Sequence, residues 1–391
     1  MPRPLRVLLI SGEYPPMEGG VADFCRLLGQ AMARQDWEVH VLTSAKAVQS
    51  GDEGPVHCHP LMRSWRCGRL RAALRRLLSE VRPDVVNIQY QTAAFDMRPA
   101  INCLPLACPD VPTVVTFHDL LVPYLFPKAG PLRWWVNLAL ARWCSAVIVT
   151  NAEDEARLKA YPWIRRLTLV PIGSNLACAP PAGYDRTAWR RLWGIGDDTV
   201  ILCYFGFLNA SKGGEELIAA LDRLRQAGCD AVLLMIGGSV GASDPTNRTY
   251  HELVQASIRE RGLESQVIWT GHLPPEEVSA GFGAADICVL PYRDGASFRR
   301  GSFLAALTHG MPVITTQPRA PLPALTHGQN VWLVPPRDPE ALAKAMALLA
   351  EERHLRRTLS HGARQLSRQF DWQQIAARTI EVYDRAITTR R

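Results

Sequence analysis

The sequence predicts an α/β protein made of two doubly wound parallel-sheet domains facing a central cleft. Three observations carry this expectation. Apolar strand-like runs alternate with helical patterns along the whole chain, the alternation occurs twice, and a proline- and glycine-rich stretch separates the two sets. At 391 residues the chain is too long for one compact core and suits two domains of ordinary size. The hydrophobic share of 47% is ample for burial, and 21% charged residues is normal for a globular protein.

In the first half, short and nearly continuous apolar runs fall at 5–10, 38–43, 84–88, 113–117, 146–150 and 167–170. In the second half they fall at 200–205, 231–236, 266–270, 286–290, 312–316 and 330–334. Runs without polar alternation read as parallel strands covered on both faces. Over 21–33, Val21, Phe24, Leu28 and Ala31 share one helical stripe. Over 215–227, Leu217, Ile218, Leu221 and Leu224 do the same, and Gly228 ends the helix. The stretch Ala179-Pro180-Pro181-Ala182-Gly183 reads as a linker, which sets domains at 1–180 and 181–370. Residues 371–391 form one more amphipathic helix, with Trp372, Ile375, Ile380 and Val382 available for packing. No internal repeat, heptad array or low-complexity tract is visible.

Composition narrows the function classes. The 10 cysteines are scattered, with no CxxC pair and no Cys/His cluster at zinc-finger spacing. Cys103 lies near Cys108, and Cys58 sits between His57 and His59; buried thiols are the preferred reading over a metal site. The opening apolar run is too short for a signal peptide, and no apolar stretch approaches the roughly 20 residues of a membrane span. A cytoplasmic protein is therefore expected. The net charge is +7, and most of the excess falls within residues 1–180. Much of it lies in one run, Arg63, Arg66, Arg69, Arg71, Arg75, Arg76 and Arg82. Two readings stand for segment 61–82 and for the Trp134-Trp135 helix running to Trp143. One is peripheral docking on the anionic inner face of a membrane; the other is an ordinary exposed helix beside a core helix. Nucleic-acid binding is not expected, because no recognised module accompanies the charge.

Four segments can carry chemistry. Residues 11–20 follow the first strand and end in Gly19-Gly20 at a helix start, where backbone amides and the helix dipole favour an anion. Glycines also serve tight βα turns in any such fold, so phosphate contact and plain geometry stand level there. Residues 205–214 repeat the arrangement at the start of the second domain, with Gly206, Lys212 and Gly213. A lysine conflicts with a helix N-terminus unless an anionic ligand, such as a diphosphate, sits between them. The third segment, Thr116-Phe117-His118-Asp119, closes an apolar strand at the end where open α/β sheets place ligands. In the fourth, Ser297, Arg299, Arg300, Gly301 and Ser302 lie between a strand and a helix and make an oxyanion or diphosphate cradle. Three anion-friendly turns at corresponding strand ends weigh more than one.

At these residues the chain resembles the large retaining glycosyltransferase family 4 (group 1) of GT-B fold, whose two domains are Rossmann-like. The resemblance runs from Tyr14-Pro15-Pro16 with Gly19-Gly20, through His118-Asp119 and Gly206 with Lys212-Gly213, to the stretch 267–271. It continues with Ala285-Asp286, a strand ending Leu290-Pro291, Gly310-Met311-Pro312-Val313-Ile314 and Asp371-Trp372. It implies metal-independent transfer of a sugar, of hexosyltransferase type, from a nucleotide diphosphate donor held mostly by the second domain. The acceptor, a polysaccharide, a lipid-linked glycan or a small molecule of cell-envelope synthesis, would then lie in the first domain, and the last helix would cross back to it. No cofactor beyond the donor substrate and no metal are implied. Two positions depart from the family pattern. Phe207 stands where an arginine is usual, and Ser297 and Ala305 stand where a Glu-x7-Glu pair is usual, the second glutamate ordinarily holding the donor ribose.

The resemblance assigns leaving-group stabilisation to Lys212, the arginine pair and the glycine amides. It gives contact with the donor sugar or reacting centre to His118, with Asp119 orienting it or the acceptor. Two rivals remain at this point. One is a catalytically degenerate nucleotide-sugar-binding or partner subunit on the same scaffold, motivated by the missing glutamates. The other is a dinucleotide-dependent oxidoreductase, which lacks GxGxxG and an acidic residue at the required offset.

Overall fold

Apolar runs become parallel strands here, and amphipathic runs become the helices that cover them. The computed structural model describes residues 3–17, 19–47, 54–120, 130–164, 166–237 and 245–389. The chain divides into two units, Met1–Asn175 with Phe370–Arg391, and Leu176–Gln369.

The first unit opens with β1 (Arg6–Ser11), α1 (Gly20–Ala33), β2 (Glu38–Ser44), β3 (Val56–Met62) and α2 (Cys67–Val81). It continues through β4 (Val85–Tyr90), a short helix α3 (Leu104–Ala107), β5 (Thr113–Phe117) and α4 (Gly130–Trp143). Then come β6 (Ala146–Val149), α5 (Ala152–Lys159) and β7 (Leu167–Leu169). The seven strands run parallel in the order β3-β2-β1-β4-β5-β6-β7.

The second unit begins with α6 (Arg186–Leu192), β8 (Val200–Phe205), α7 (Gly214–Gln226), β9 (Ala231–Ile236) and α8 (Pro245–Glu260). Next are β10 (Val267–Gly271), α9 (Pro275–Ala284), β11 (Ile287–Leu290), α10 (Gly301–Thr308) and β12 (Val313–Thr316). The unit ends with β13 (Trp332–Val334), α11 (Pro339–Glu351) and α12 (Arg353–Ser367). Its six strands are also parallel, ordered β10-β9-β8-β11-β12-β13. The final helix α13 (Trp372–Thr388) packs in the first unit, against α1 and across β4, β5 and β6. Arg390 and Arg391, within the expected terminal helix, lie outside the described residues.

Every apolar run read as a strand is one, because a parallel strand between helices must be apolar on both faces. One strand gave no such signal. The sequence β3 spells is Val-His-Cys-His-Pro-Leu-Met, at the sheet edge and largely accessible, with Pro60 tolerated because an edge strand has a free side. Leu61 therefore belongs to a strand, and the arginine-rich helix begins only at Cys67. The expectation of buried thiols holds for Cys25, Cys108, Cys203 and Cys288, whereas Cys67, Cys103 and Cys178 are exposed.

The first sheet separates two cores. On one side Leu70, Leu74, Leu77 and Val81 of α2 meet Leu138 and Leu140 of α4. On the other, Phe24, Leu28 and Met32 of α1 meet Ile375, Val382 and Tyr383 of α13. A polar pin crosses the second core. Asn87 Nδ2 on β4 donates to the Tyr383 hydroxyl at 2.5 Å, and Thr116 Oγ1 donates to Asn87 Oδ1 at 3.1 Å, all three residues being buried. Tyr383→Phe leaves the Asn87 amide an orphaned donor and is expected to cost about 1–3 kcal/mol. Urea unfolding checks this, and an unchanged midpoint counts against the pin.

Candidate active site

The order of each sheet reverses once, between β1 and β4 in the first and between β8 and β11 in the second. Open α/β sheets bind ligands outside the carboxyl ends of strands at such switch points. The expected site residues leave those ends, or in the case of His118 the end of the neighbouring strand β5.

In the first unit, the loop after β1 presses on the turn after β4. A Cβ on Gly12 would lie 2.0 Å from the Ala94 carbonyl oxygen, so only glycine fits. Gly19 precedes α1, which has no side-chain cap. A Cβ there would meet Glu13 Oε2 at 2.2 Å, which places the Glu13 carboxyl beside Gly19, while Gly20 faces open space. Burial pushes the Glu13 carboxyl above its usual range. Glu18 lies outside the described residues.

His118 is held by its surroundings. Its backbone N–H donates to the Tyr90 carbonyl at 3.1 Å, and its Nε2 lies 2.9 Å from Gln89 Oε1. Its ring meets Phe24 edge-on at 4.6 Å, and Phe24 in turn meets Trp372 at 5.3 Å. Burial lowers the imidazole pKa to about 3, so His118 is neutral at physiological pH. A neutral ring bonded to an amide oxygen carries its proton on Nε2 and keeps a lone pair on Nδ1. Gln89 was not singled out from the sequence. It is wholly buried, and its Nε2 has no hydrogen-bond partner among the described residues. Asp119 follows, half-buried, and residues 121–129 just beyond it lie outside the described residues.

In the second unit two loops close on one another. Gly213, at φ +72°, could not carry a side chain, since its Cβ would lie 2.0 Å from the Pro291 carbonyl oxygen. That contact locks the loop after β8 against the loop after β11. Gly206, at φ +109°, leaves a bare backbone beneath Lys212 and Ser302. A Cβ placed there would be 3.2 Å from Lys212 Nζ and 3.6 Å from Ser302 Cβ. Ser302 Oγ and the Tyr292 hydroxyl, 2.7 Å apart, share a hydrogen bond. Burial, then the neighbouring Arg300 charge, lowers the Lys212 pKa to about 8. No carboxylate among the described residues pairs with Lys212. A buried cation without a counter-charge is costly, and an incoming anion removes the cost.

The two arginines differ from the sequence picture of free guanidiniums. Arg300 pairs with Asp294, donates to Ser211 Oγ at 3.3 Å and lies 4.7 Å over the Tyr292 ring. The half-buried Arg299 donates its backbone N–H to Ser297 Oγ at 3.3 Å. No side chain caps α10, whose first residues are Gly301 and Ser302. Arg293, also passed over in the sequence, donates to Glu215 at 2.6 Å and Glu216 at 2.7 Å and so fastens the same two loops. Of the departing positions, Phe207 is 48% exposed, while Ala305 is buried within α10.

A cavity of about 700 Å³ in this unit lies elsewhere. Val200, Asp286 and Pro312 line it, so it opens at the amino ends of β8, β11 and β12 and holds none of the expected site residues. Its arginines are structurally engaged. Arg186 pairs with Asp286 at 2.6 Å, and Arg356 donates to the Ala350 carbonyl at 2.7 Å at the end of α11.

Comparison with known proteins agrees with this geometry. Residues 18–177 match the family model "Glycosyltransferase Family 4", and residues 185–366 match "Glycosyl transferases group 1". A D-inositol 3-phosphate glycosyltransferase of Xylanimonas cellulosilytica is 26% identical over 98% of each chain. Among solved structures, sucrose-phosphate synthase from Thermosynechococcus elongatus superposes with a TM-score of 0.70 at 21% identity, covering 98% of this chain and 100% of that one. Anabaena HepE in complex with UDP and glucose gives 0.70 at 20% identity, covering 96% and 98%. These likenesses establish the fold as GT-B.

The close approach of the two loops has a measurable consequence. Gly213→Ala combines an unfavourable φ with a backbone clash and is expected to lower stability by about 1–3 kcal/mol or more. A thermal midpoint equal to the parent's would refute the close approach.

Proposed function

Because the chain belongs to the group 1 glycosyltransferases of family 4, we propose that it takes its sugar from a nucleotide diphosphate donor held by the second unit and transfers it with retention, without a metal. The observation that carries this reading is Lys212, a buried ammonium with no carboxylate partner among the described residues, set over the bare backbone of Gly206. Sugar transfer itself is the activity of the family. As the bond to the anomeric carbon breaks, negative charge builds on the departing diphosphate. Lys212, together with the uncapped amides of Gly301 and Ser302 at the start of α10, supplies fixed positive potential for it. Arg300, already neutralised by Asp294, acts mainly by holding Ser211 and Tyr292 in place.

The same proposal gives the acceptor, a glycan, a lipid-linked glycan or a small molecule, to the first unit. There His118 offers a neutral ring at the carboxyl end of β5, fixed by Gln89 and Phe24, with Asp119 beside it to orient a hydroxyl. The alternative of a silent binding subunit is not favoured. The family models span both units, and the lysine and glycine geometry of the second is intact.

Peripheral contact with an anionic membrane belongs to the same proposal. Arg63, Arg66, Arg69, Arg71, Arg75, Arg76 and Arg82 are all exposed. Trp135 is 62% exposed on α4, and α2 and α4 pack on the same side of the first sheet. Among the described residues, no helix is long and apolar enough to cross a membrane.

Lys212→Ala should weaken binding of the donor nucleotide and slow transfer, by about 10²–10³ in rate, as for the loss of one preorganised donor. Calorimetry with UDP, GDP and ADP, followed by a transfer assay with the matching sugars, tests this; unchanged binding and turnover would sink the assignment. Nucleotide affinity should also fall as pH rises through about 8, because the free Lys212 loses its proton there and a bound diphosphate favours the protonated form. Co-sedimentation with liposomes should require acidic lipid and should weaken when Arg71, Arg75 and Arg76 are replaced by glutamine; equal pelleting with neutral vesicles would remove the membrane from the account.

A further inference from the structure

At the outer edge of the first sheet, two strands gather four potential metal ligands. The register pairs His40 with His57 and Leu42 with His59. Side chains alternate along a strand, so Glu38, His40, His57 and His59 share one face. Cys58 takes the opposite face, packed against the core beneath α1. One ligand atom each from Glu38, His40 and His57 lie within 4.8 Å of one another, and Glu38 Oε1 is 2.9 Å from His40 Nε2.

The surrounding contacts resemble those that support bound ions. A metal-ligating histidine generally uses its second ring nitrogen on a partner, and a ligating carboxylate is itself hydrogen-bonded. His40 Nδ1 lies 3.0 Å from His59 Nε2, and Glu38 Oε2 accepts from Arg6 Nε at 2.8 Å. Those contacts leave Glu38 Oε1 and His40 Nε2 for an ion. His57 is exposed, its ring stacked on His40 at 4.8 Å.

We propose that Glu38, His40 and His57 bind one divalent transition-metal ion of the zinc type, supported by His59 and Arg6. Two imidazoles and a carboxylate suit Zn²⁺ or Co²⁺ better than Mg²⁺ or Ca²⁺, which prefer oxygen ligands. Zinc ligands at about 2.1 Å in a tetrahedron stand about 3.4 Å apart, so the trio needs only small side-chain rotations to close. Three protein ligands leave the fourth position to water. When His40 ligates through Nε2, its proton sits on Nδ1 and bonds His59 Nε2, whose own proton moves to Nδ1, and no proton is released. The ion ties the edge strand β3 to β2. The site lies within one unit and is independent of the donor reading.

Equilibrium dialysis of the full, tag-free chain against Zn²⁺ and Co²⁺ tests the site. One ion per chain is expected, and His57→Ala should weaken binding by on the order of tenfold or more, with His59→Ala losing about tenfold. His57 is exposed, so its removal leaves packing intact, and the urea midpoint of the metal-free variant should match the parent. Absence of binding, or equal affinity in His57→Ala, overturns the proposal. Loss of the ion in Cys67→Ser, Cys103→Ser or Cys178→Ser would assign it to the exposed thiols and overturn it as well.

Discussion

Parallel sheets covered on both faces leave polar chemistry almost nowhere to go except the strand ends. Every backbone amide and carbonyl inside such a sheet is already paired, and every side chain on either face is enclosed by helices. In both units the loops at the carboxyl ends therefore carry the groups that can meet a ligand. The switch points between β1 and β4 and between β8 and β11 open the space for them.

The second unit shows how tightly those loops are specified. Gly213 touches the Pro291 carbonyl, Arg293 ties the β11 loop to Glu215 and Glu216, and Arg300 is anchored by Asp294 and Tyr292. These contacts use up the charges around Lys212 and leave its ammonium unpaired among the described residues. Preorganisation of this kind costs stability in the free protein and returns it when an anion binds. In the first unit the corresponding device is apolar. Phe24 and Trp372 close around His118 and keep it neutral, so that it acts by hydrogen bonding and not by charge.

Much of this was legible in order along the chain. Apolar runs marked twelve strands because burial on both faces demands them, and the glycine–lysine turn at 206–213 marked itself by pairing a cation with a helix start. β3 escaped because an edge strand needs few buried residues, and His-Cys-His-Pro has no apolar period to detect. Gln89 escaped because its tie to His118 spans 29 positions and exists only once β4 lies beside β5. The pairing of Arg300 with Asp294 was equally hidden, since a sequence shows that two charges exist but not whether they meet.

The sequence by itself determined the fold class, the family and the strand ends where chemistry sits, because periodicity and turn residues act locally. Only the tertiary structure decided which charges are spent and which are left over. It left Lys212 without a carboxylate among the described residues, paired Arg300, neutralised His118 and brought Glu38, His40 and His57 to one face. The two-domain arrangement of parallel sheets, first inferred from alternating runs, thus stands with its polar groups sorted by partner. Charge pairing and desolvation depend on distances in space, which residue order does not contain.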